Sequence, residues 1–314
     1  MKRIGVFVTM LMLVVGLVGL AACGETPEEP SGKAATEPAG KPSESAGTQT
    51  AAPSDPSSGA SLRVSCIDVG KGDCILVQAG DTAILIDTGY EKTADNVLAH
   101  LQEARVTHLK AVVITHYDRD HVEGLHYIGQ AVPIDTIYLP GYEGSDDNYD
   151  TCLAAVEALG VPSQRVTSEL ALDVGSARLT IFPSTVAYEP ASILRSEGND
   201  NDVSLVATLV NGSDSYLFAG DLEEEGVDAY LAAKHGTFDV VKMPHHGRKS
   251  SNTEDFLDDV RPQIALITDS KKDEADKKVL KLLKSSEVET YRTSKDGTIV
   301  VESDGTGAYQ VDMW

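Results

Sequence analysis

The chain is poor in cysteine, in aromatic side chains and in positive charge. Its 314 residues include 4 Cys, 1 Trp, 5 Phe and 11 Tyr, and 26 Lys and Arg stand against 49 Asp and Glu. Four cysteines without a Cys-x-x-Cys pair exclude a thiolate zinc knuckle or ribbon. A net charge of −23 argues against a protein that coats long duplex DNA, because an acidic globule repels polyanions at long range and such binding needs basic tracks. No 20–50-residue repeat is evident, so a solenoid or propeller is not expected. Histidine is sparse as well: the eight stand at 100, 108, 116, 121, 126, 235, 245 and 246, with none between His126 and His235.

The beginning of the chain has its own composition. Lys2-Arg3 precedes an apolar run from Ile4 to Leu20 and the sequence Leu20-Ala21-Ala22-Cys23. This resembles a bacterial lipoprotein signal, which implies cleavage before Cys23, a lipid on its thiol and an extracytoplasmic, membrane-tethered product. Residues 24–60 are mostly Pro, Gly, Ser, Thr, Ala and Glu, too polar to bury a core. They read as a disordered tether with a root-mean-square reach of roughly 30–35 Å. The expected division is therefore a signal at 1–23, a linker at 24–60 and one α/β domain at 61–314. That domain still holds 22 basic and 43 acidic residues. Cys66 and Cys74 fall in two strands of an expected hairpin. A disulfide between them is conceivable, and a pair of small buried thiols is the plainer reading.

What the domain does have is one dense stretch, Thr115-His116-Tyr117-Asp118-Arg119-Asp120-His121. It follows an apolar, β-branched run, Ala111-Val112-Val113-Ile114, that reads as a buried strand, and it precedes a helix-like segment near Val122. Two imidazoles and two carboxylates on a loop at a strand's C-terminal end suit zinc, manganese or iron(II). Such a spacing allows one cation to be served by His116 and Asp118 and a second by Asp120 and His121.

The stretch resembles the His-x-His-x-Asp-His motif of the metallo-β-lactamase superfamily, with Asp118 in place of the second His. The variant is similar to the hydrolase domain of ComEC-type competence proteins. Asp68-Val69-Gly70-Lys71-Gly72-Asp73, Leu85-Ile86-Asp87-Thr88-Gly89, Asn201 to Val206, Phe218-Ala219-Gly220-Asp221-Leu222 and Lys242-Met243-Pro244-His245-His246-Gly247 follow in that family's order. The resemblance implies a four-layer αββα sandwich and two divalent cations, Zn or Mn. It implies a first site of His116, Asp118 and a bridging Asp221, and a second of Asp120, His121, Asp221 and one of the pair His245–His246. Of that pair His245 is weakly favoured, leaving His246 to donate to substrate or hold its loop. Asp68, Asp73 and Asp87 read as partners that fix histidine tautomers. Asn201, Ser204 and Lys242 are candidates for orienting the oxygens of a scissile group, with a solvated strand-end lysine an equal reading for Lys242. His100, His108 and His235 read as surface residues and His126 as structural. The loop from Gly141 to Asp150 reads either as an overhang above the site or as a solvated turn.

The expected function is an extracytoplasmic, lipid-anchored metal-dependent hydrolase in which a bridged hydroxide attacks phosphorus or a carbonyl, with Asp118 or Asp120 taking the proton. The resemblance implies a phosphodiester, and the acidic charge favours a small or short one, with single-stranded DNA a further candidate. No protein partner is evident. A lactonase or β-lactamase-like hydrolase and a non-catalytic surface binding protein are the alternatives. Asp118 weighs against the first, as does the lack, between His126 and His235, of the third first-metal histidine usual in the wider superfamily, and the full second ligand set weighs against the other.

Overall fold

Short β-branched runs separated by glycine turns dictate how the domain begins. A computed structural model of the chain describes residues 61–144, 147–186 and 200–314. The signal, the tether and Cys23 lie outside the described residues. Leu62–Cys66 (β1), Ile75–Ala79 (β2) and Thr82–Ile86 (β3) form an antiparallel meander, with Cys66 opposite Ile75 and Ile75 opposite Ile86. Gly80, at φ +59°, makes the tight reversal between β2 and β3. The connections then lengthen and carry helices, so the next strands are parallel. Ala94–Glu103 (α1) leads to Ala111–Val113 (β4), and Arg119–Val122 (α2) with Leu125–Ala131 (α3) leads to Ile137–Pro140 (β5). Asp147–Leu159 (α4) leads to Ser163–Val166 (β6).

The second half repeats this plan. Leu170–Val174 (β7), Ala177–Phe182 (β8), Val206–Asn211 (β9) and Asp214–Phe218 (β10) form an antiparallel meander. Glu224–Ala233 (α5), Thr253–Val260 (α6) and Lys277–Ser285 (α7) then carry the chain to the parallel strands Val240–Lys242 (β11), Ile264–Ile267 (β12) and Glu289–Arg292 (β13). The short helix Thr293–Asp296 (α8) returns the chain to the first sheet, where Ile299–Ser303 (β14) pairs with β1 and Tyr309–Met313 (β15) closes the edge. The strand orders are β15-β14-β1-β2-β3-β4-β5-β6 and β13-β12-β11-β10-β9-β8-β7.

Alternation of side chains along each strand sorts the core into three layers. Leu62, Val64, Ile84, Leu209 and Phe218 fill the space between the sheets. Leu76, Leu85, Val112 and Leu101 pack the first sheet against its helices, and Leu217, Val241, Phe256 and Val279 do so for the second. Helices outside two facing sheets make the four-layer αββα sandwich. The same alternation settles the cysteines: Cys66 points between the sheets and Cys74 into the outer layer, and both are free thiols. Burial, with Asp73 adding to it, pushes the Cys66 thiol up to about 12, which leaves it unreactive.

Two readings of the sequence are corrected here. His100 is buried at 6 % exposure, because it shares the inner face of α1 with Val97 and Leu101. His235 is half-buried between the rings of Phe182 and Tyr230. His108 is exposed and faces Asp135 at 2.8 Å. Among the described residues no helix is long and apolar enough to cross a membrane.

Candidate metal centre

Parallel strands deliver loops to a common rim at their C-terminal ends, and here both sheets contribute. Asp87 follows β3, Thr115 and His116 follow β4, Asp221 follows β10, His245 and His246 follow β11, and Thr268 follows β12. His116, His121, Asp120, Asp221 and His246 are all buried. One ligand atom from each of His116, His121 and Asp221 falls within 4.8 Å of the others, and the same holds for Asp120, His121 and His246. The stretch 116–121 folds as a loop that turns into α2, so Asp120 and His121 project inward from the first helical turn.

Each inward imidazole is pinned at Nδ1. His121 Nδ1 lies 2.7 Å from Asp87 Oδ2. Thr115 Oγ1 donates to that same carboxylate at 2.7 Å and so accepts from His116 Nδ1–H at 3.0 Å. Thr268 Oγ1 donates to Asp73 Oδ1 at 2.6 Å and accepts from His246 Nδ1–H at 3.0 Å. A threonine thus stands between carboxylate and imidazole twice over, and both rings turn their Nε2 lone pair to the centre. Asp73 and Asp87 take the tautomer-fixing place expected of them. Asp68 does not: its Oδ1 accepts from Gly70 N–H within its own loop.

Lys242 is neither solvated nor turned toward the opening. It is fully buried, ion-paired with Asp73, and donates to Asp221 Oδ1 at 3.2 Å. Burial disfavours its charge, but Asp73 and Asp221 outweigh burial and hold the ammonium protonated. The reciprocal effect holds at Asp221: burial opposes ionisation, and His246, Lys242 and His121 overcome it, so its pKa lies well below the ordinary carboxylate value. Oδ1 of Asp221 is taken by the lysine, which leaves Oδ2 to face the histidines, 2.8 Å from His246 Nε2 and 3.4 Å from His121 Nε2.

The neighbouring histidines part company because both adopt left-handed backbone, with φ of 44° at His245 and 54° at His246. His246 swings inward, 3.5 Å from Asp120 Oδ2, while His245 stays at the rim with Nε2 3.9 Å from Asp221 Oδ2 and Nδ1 2.9 Å from Glu223. The inward place given to His245 on sequence grounds is therefore occupied by His246. Asp118 stands at the mouth, its side chain 31 % exposed and its Oδ2 3.8 Å from His116 Nε2. Ser204 is fully buried and accepts the Asp221 N–H at 3.3 Å, so it shapes the Asp221 turn rather than facing the opening. Gly220 belongs to that turn: a Cβ there would meet Ser204 Cβ at 2.7 Å. Asn201 donates to Glu223 at 3.1 Å, and its Oδ1 is buried without a partner. Tyr142 tucks beneath the site, its hydroxyl accepting from Tyr117 N–H, so this part of the 141–150 loop buttresses the histidine stretch.

The donor set fits divalent cations. Nε2 of His116, His121 and His246 are buried and form no well-aligned hydrogen bond, and they face the carboxylates of Asp118, Asp120 and Asp221 instead. Buried polar atoms are rarely left without partners, and imidazole nitrogens grouped with carboxylate oxygens suit a transition-metal dication.

Residues 67–267 match the model of the metallo-β-lactamase superfamily, and the chain belongs to that superfamily, a family of metal-dependent hydrolases. It is similar to ComE operon protein 3 of Bacillus subtilis, 29 % identical over 258 residues, which cover 75 % of this chain and 32 % of that protein. It is also similar to Recombination protein 2 of Haemophilus influenzae, 28 % identical over 214 residues, covering 66 % of this chain and 24 % of that protein. The chain thus spans about a third or less of the length of these relatives. The expected likeness to ComEC-type competence proteins is borne out. Among solved structures, the metallo-beta-lactamase fold protein YhfI from Bacillus subtilis superposes with a TM-score of 0.51 at 13 % identity. It covers 78 % of this chain and 100 % of that one, a likeness of fold.

Proposed function

We propose that the chain is a phosphodiesterase that uses two divalent cations, Zn or Mn, and that it acts outside the cytoplasm, tethered through a lipid on Cys23. The observation that carries the catalytic part is the meeting of three buried Nε2 atoms with the carboxylates of Asp120 and Asp221 in one cluster. In this reading His116, Asp118 and Asp221 hold one cation, and Asp120, His121, His246 and Asp221 the other. Such a pair supplies Lewis-acid activation of water and neutralisation of the charge that develops on phosphoryl oxygens. The protein residues supply order and a proton acceptor. Thr115, Asp87 and the Thr268–Asp73 pair hold the imidazoles in one tautomer, and Lys242 keeps one oxygen of Asp221 occupied. Asp118, at the solvent side, takes the proton as water attacks phosphorus, and the ester oxygen leaves on the opposite side. Two relatives bear the names of a competence operon and of recombination, which favours a nucleic-acid phosphodiester over a lactone or a β-lactam.

The test is hydrolysis of bis-p-nitrophenyl phosphate and of single-stranded DNA by the purified chain with manganese or zinc. Turnover that disappears in the Asp120→Ala and His121→Ala variants is the expected result. Absence of turnover on both substrates with both ions would sink the proposal.

A further inference from the structure

The domain is acidic on average but not everywhere. A cleft of about 550 Å³ opens beside the metal centre, lined by Lys71, Lys92, Lys271, Lys272 and Lys295, with Asp68 and Asp273 as its acidic residues. Five of the domain's 22 basic residues thus face one hollow. Its acids are already engaged. Asp273 is held by Arg248 at 2.9 and 3.1 Å, and Asp68 caps its own loop. Of its lysines, Lys71 turns to Asp120 Oδ2 and Lys92 lies 4.2 Å over the Tyr90 ring. Lys92, Lys271, Lys272 and Lys295 are exposed, and among the described residues none has a carboxylate within ion-pair distance. Unpaired like charges gathered in a concave surface repel one another and focus a positive field, an arrangement that stores free energy until an anion arrives.

Three further features point to a ligand. The cleft joins the metal centre directly, because Lys71, on its wall, reaches Asp120 Oδ2 at 3.1 Å. That reach depends on close approach of the loop before β2: at Gly72 a Cβ would lie 2.6 Å from the Asp120 carbonyl oxygen. Ser294, also on the wall, keeps a buried Oγ with no hydrogen-bond partner. Tyr90 adds a half-buried aromatic ring to the same wall.

Resting on the phosphodiesterase reading, we infer that this cleft holds the phosphates that follow the scissile one along a single nucleic-acid strand. Lys71 is the residue at the junction between centre and cleft, and Lys92, Lys271, Lys272 and Lys295 are specificity-determining contacts. A hollow of this size takes a few nucleotides of one strand, whose backbone follows the lysines while a base lies near Tyr90. The acidic domain disfavours long duplex DNA, which needs extended basic tracks. The acidic remainder of the domain then restricts polyanion binding to this one track.

The test is equilibrium binding of fluorescein-labelled oligothymidylates of two, four and eight nucleotides to the full chain in EDTA, so that no cleavage intervenes. Two variants carry the same change of charge. One replaces Lys92, Lys271, Lys272 and Lys295 by Glu. The other replaces Lys277, Lys278, Lys281 and Lys284 of α7, which are also exposed but lie outside the cleft. The inference expects affinity to rise from two to eight nucleotides. It expects the cleft variant to lose at least tenfold and the α7 variant to stay within about threefold. The slope of log affinity against log salt should fall by roughly 2–3 in the cleft variant alone. Equal losses in both variants, or affinity independent of length, would overturn it. Poly(glycerol phosphate) binding as tightly as the octanucleotide, with the same dependence on the cleft, would overturn the nucleic-acid assignment. Failure to cleave bis-p-nitrophenyl phosphate alongside cleft-dependent binding counts against the catalytic reading and leaves the cleft standing.

Discussion

Thr268 places its hydroxyl 3.0 Å from His246 Nδ1, and because that hydroxyl already donates to Asp73 it can only accept from the ring. The proton on Nδ1 is thereby fixed and Nε2 is left as a ligand. Thr268→Val keeps the shape and removes both bonds. Loss of such a partner lowers metal affinity about 10–100-fold. Competition with a chromophoric chelator measures it, and Thr115→Val, which frees His116 in the same way, should behave alike. Unchanged affinity in both variants would mean that the threonines do not set the tautomers.

The two adjacent histidines separate just as sharply. His246→Ala removes a buried nitrogen directed at Asp120 and Asp221, whereas His245→Ala removes a rim contact to Glu223. We expect His246→Ala to lower metal affinity by more than about 100-fold, beyond the effect of a partner that merely orients a ligand. His245→Ala should cost less than about tenfold. Metal content after dialysis, with circular dichroism as a check on folding, tells them apart. Equal losses would return His245 to the ligand set.

How far the sequence reveals this site depends on how local each feature is. The stretch from His116 to His121 is legible because its ligands are contiguous and follow a plain β-branched strand. Asp221 is legible because a glycine and a strand end precede it. The choice between His245 and His246 is not, because it turns on two consecutive left-handed residues, a conformation that costs a non-glycine residue about 1–2 kcal/mol and is imposed by packing. Thr115 and Thr268 read as ordinary strand residues, and only the partner across the fold gives them a role. Among the elements, β6 escapes notice because Ser163-Gln164-Arg165 is a polar edge. Helix α6 escapes although Phe256, Leu257 and Val260 share a face, a signal that was there to be read. The lysine cleft is invisible to net charge, since its residues are scattered between positions 71 and 295 and meet only in the fold.

Lys242 lies between Asp73 and Asp221 with no access to solvent. Lys242→Met fills the same space but strands two buried carboxylates. Removing one partner of a buried ion pair costs about 3–5 kcal/mol, because the remaining charge stays desolvated. Urea unfolding in EDTA should show that loss. Added zinc should recover part of it, since a dication at Asp221 supplies the missing positive charge. A variant as stable as the parent in EDTA would show that the lysine is dispensable to the buried charge balance.

His100 gives the fold an acid-sensitive point far from the metal centre. It is buried on α1, its Nε2 has no hydrogen-bond partner, and its ring meets the edge of Trp314 at 6.0 Å. Burial first, and Arg63 second, lower its pKa from 6.5 to about 4. Above pH 6.5 the folded and unfolded chains hold this imidazole in the same neutral form, so it has no effect on stability there. Between pH 6.5 and 4 the unfolded chain binds a proton that the folded chain refuses, and stability falls as the pH drops. The expected loss from this residue alone is about 2 kcal/mol at pH 5. His100→Leu, which keeps the site apolar and cannot titrate, should lose correspondingly less between pH 7 and 5 in urea unfolding. Trp314 is the chain's single tryptophan, so its fluorescence reports the same neighbourhood during the titration. Identical pH slopes for parent and variant would show that the acid sensitivity of the fold arises elsewhere.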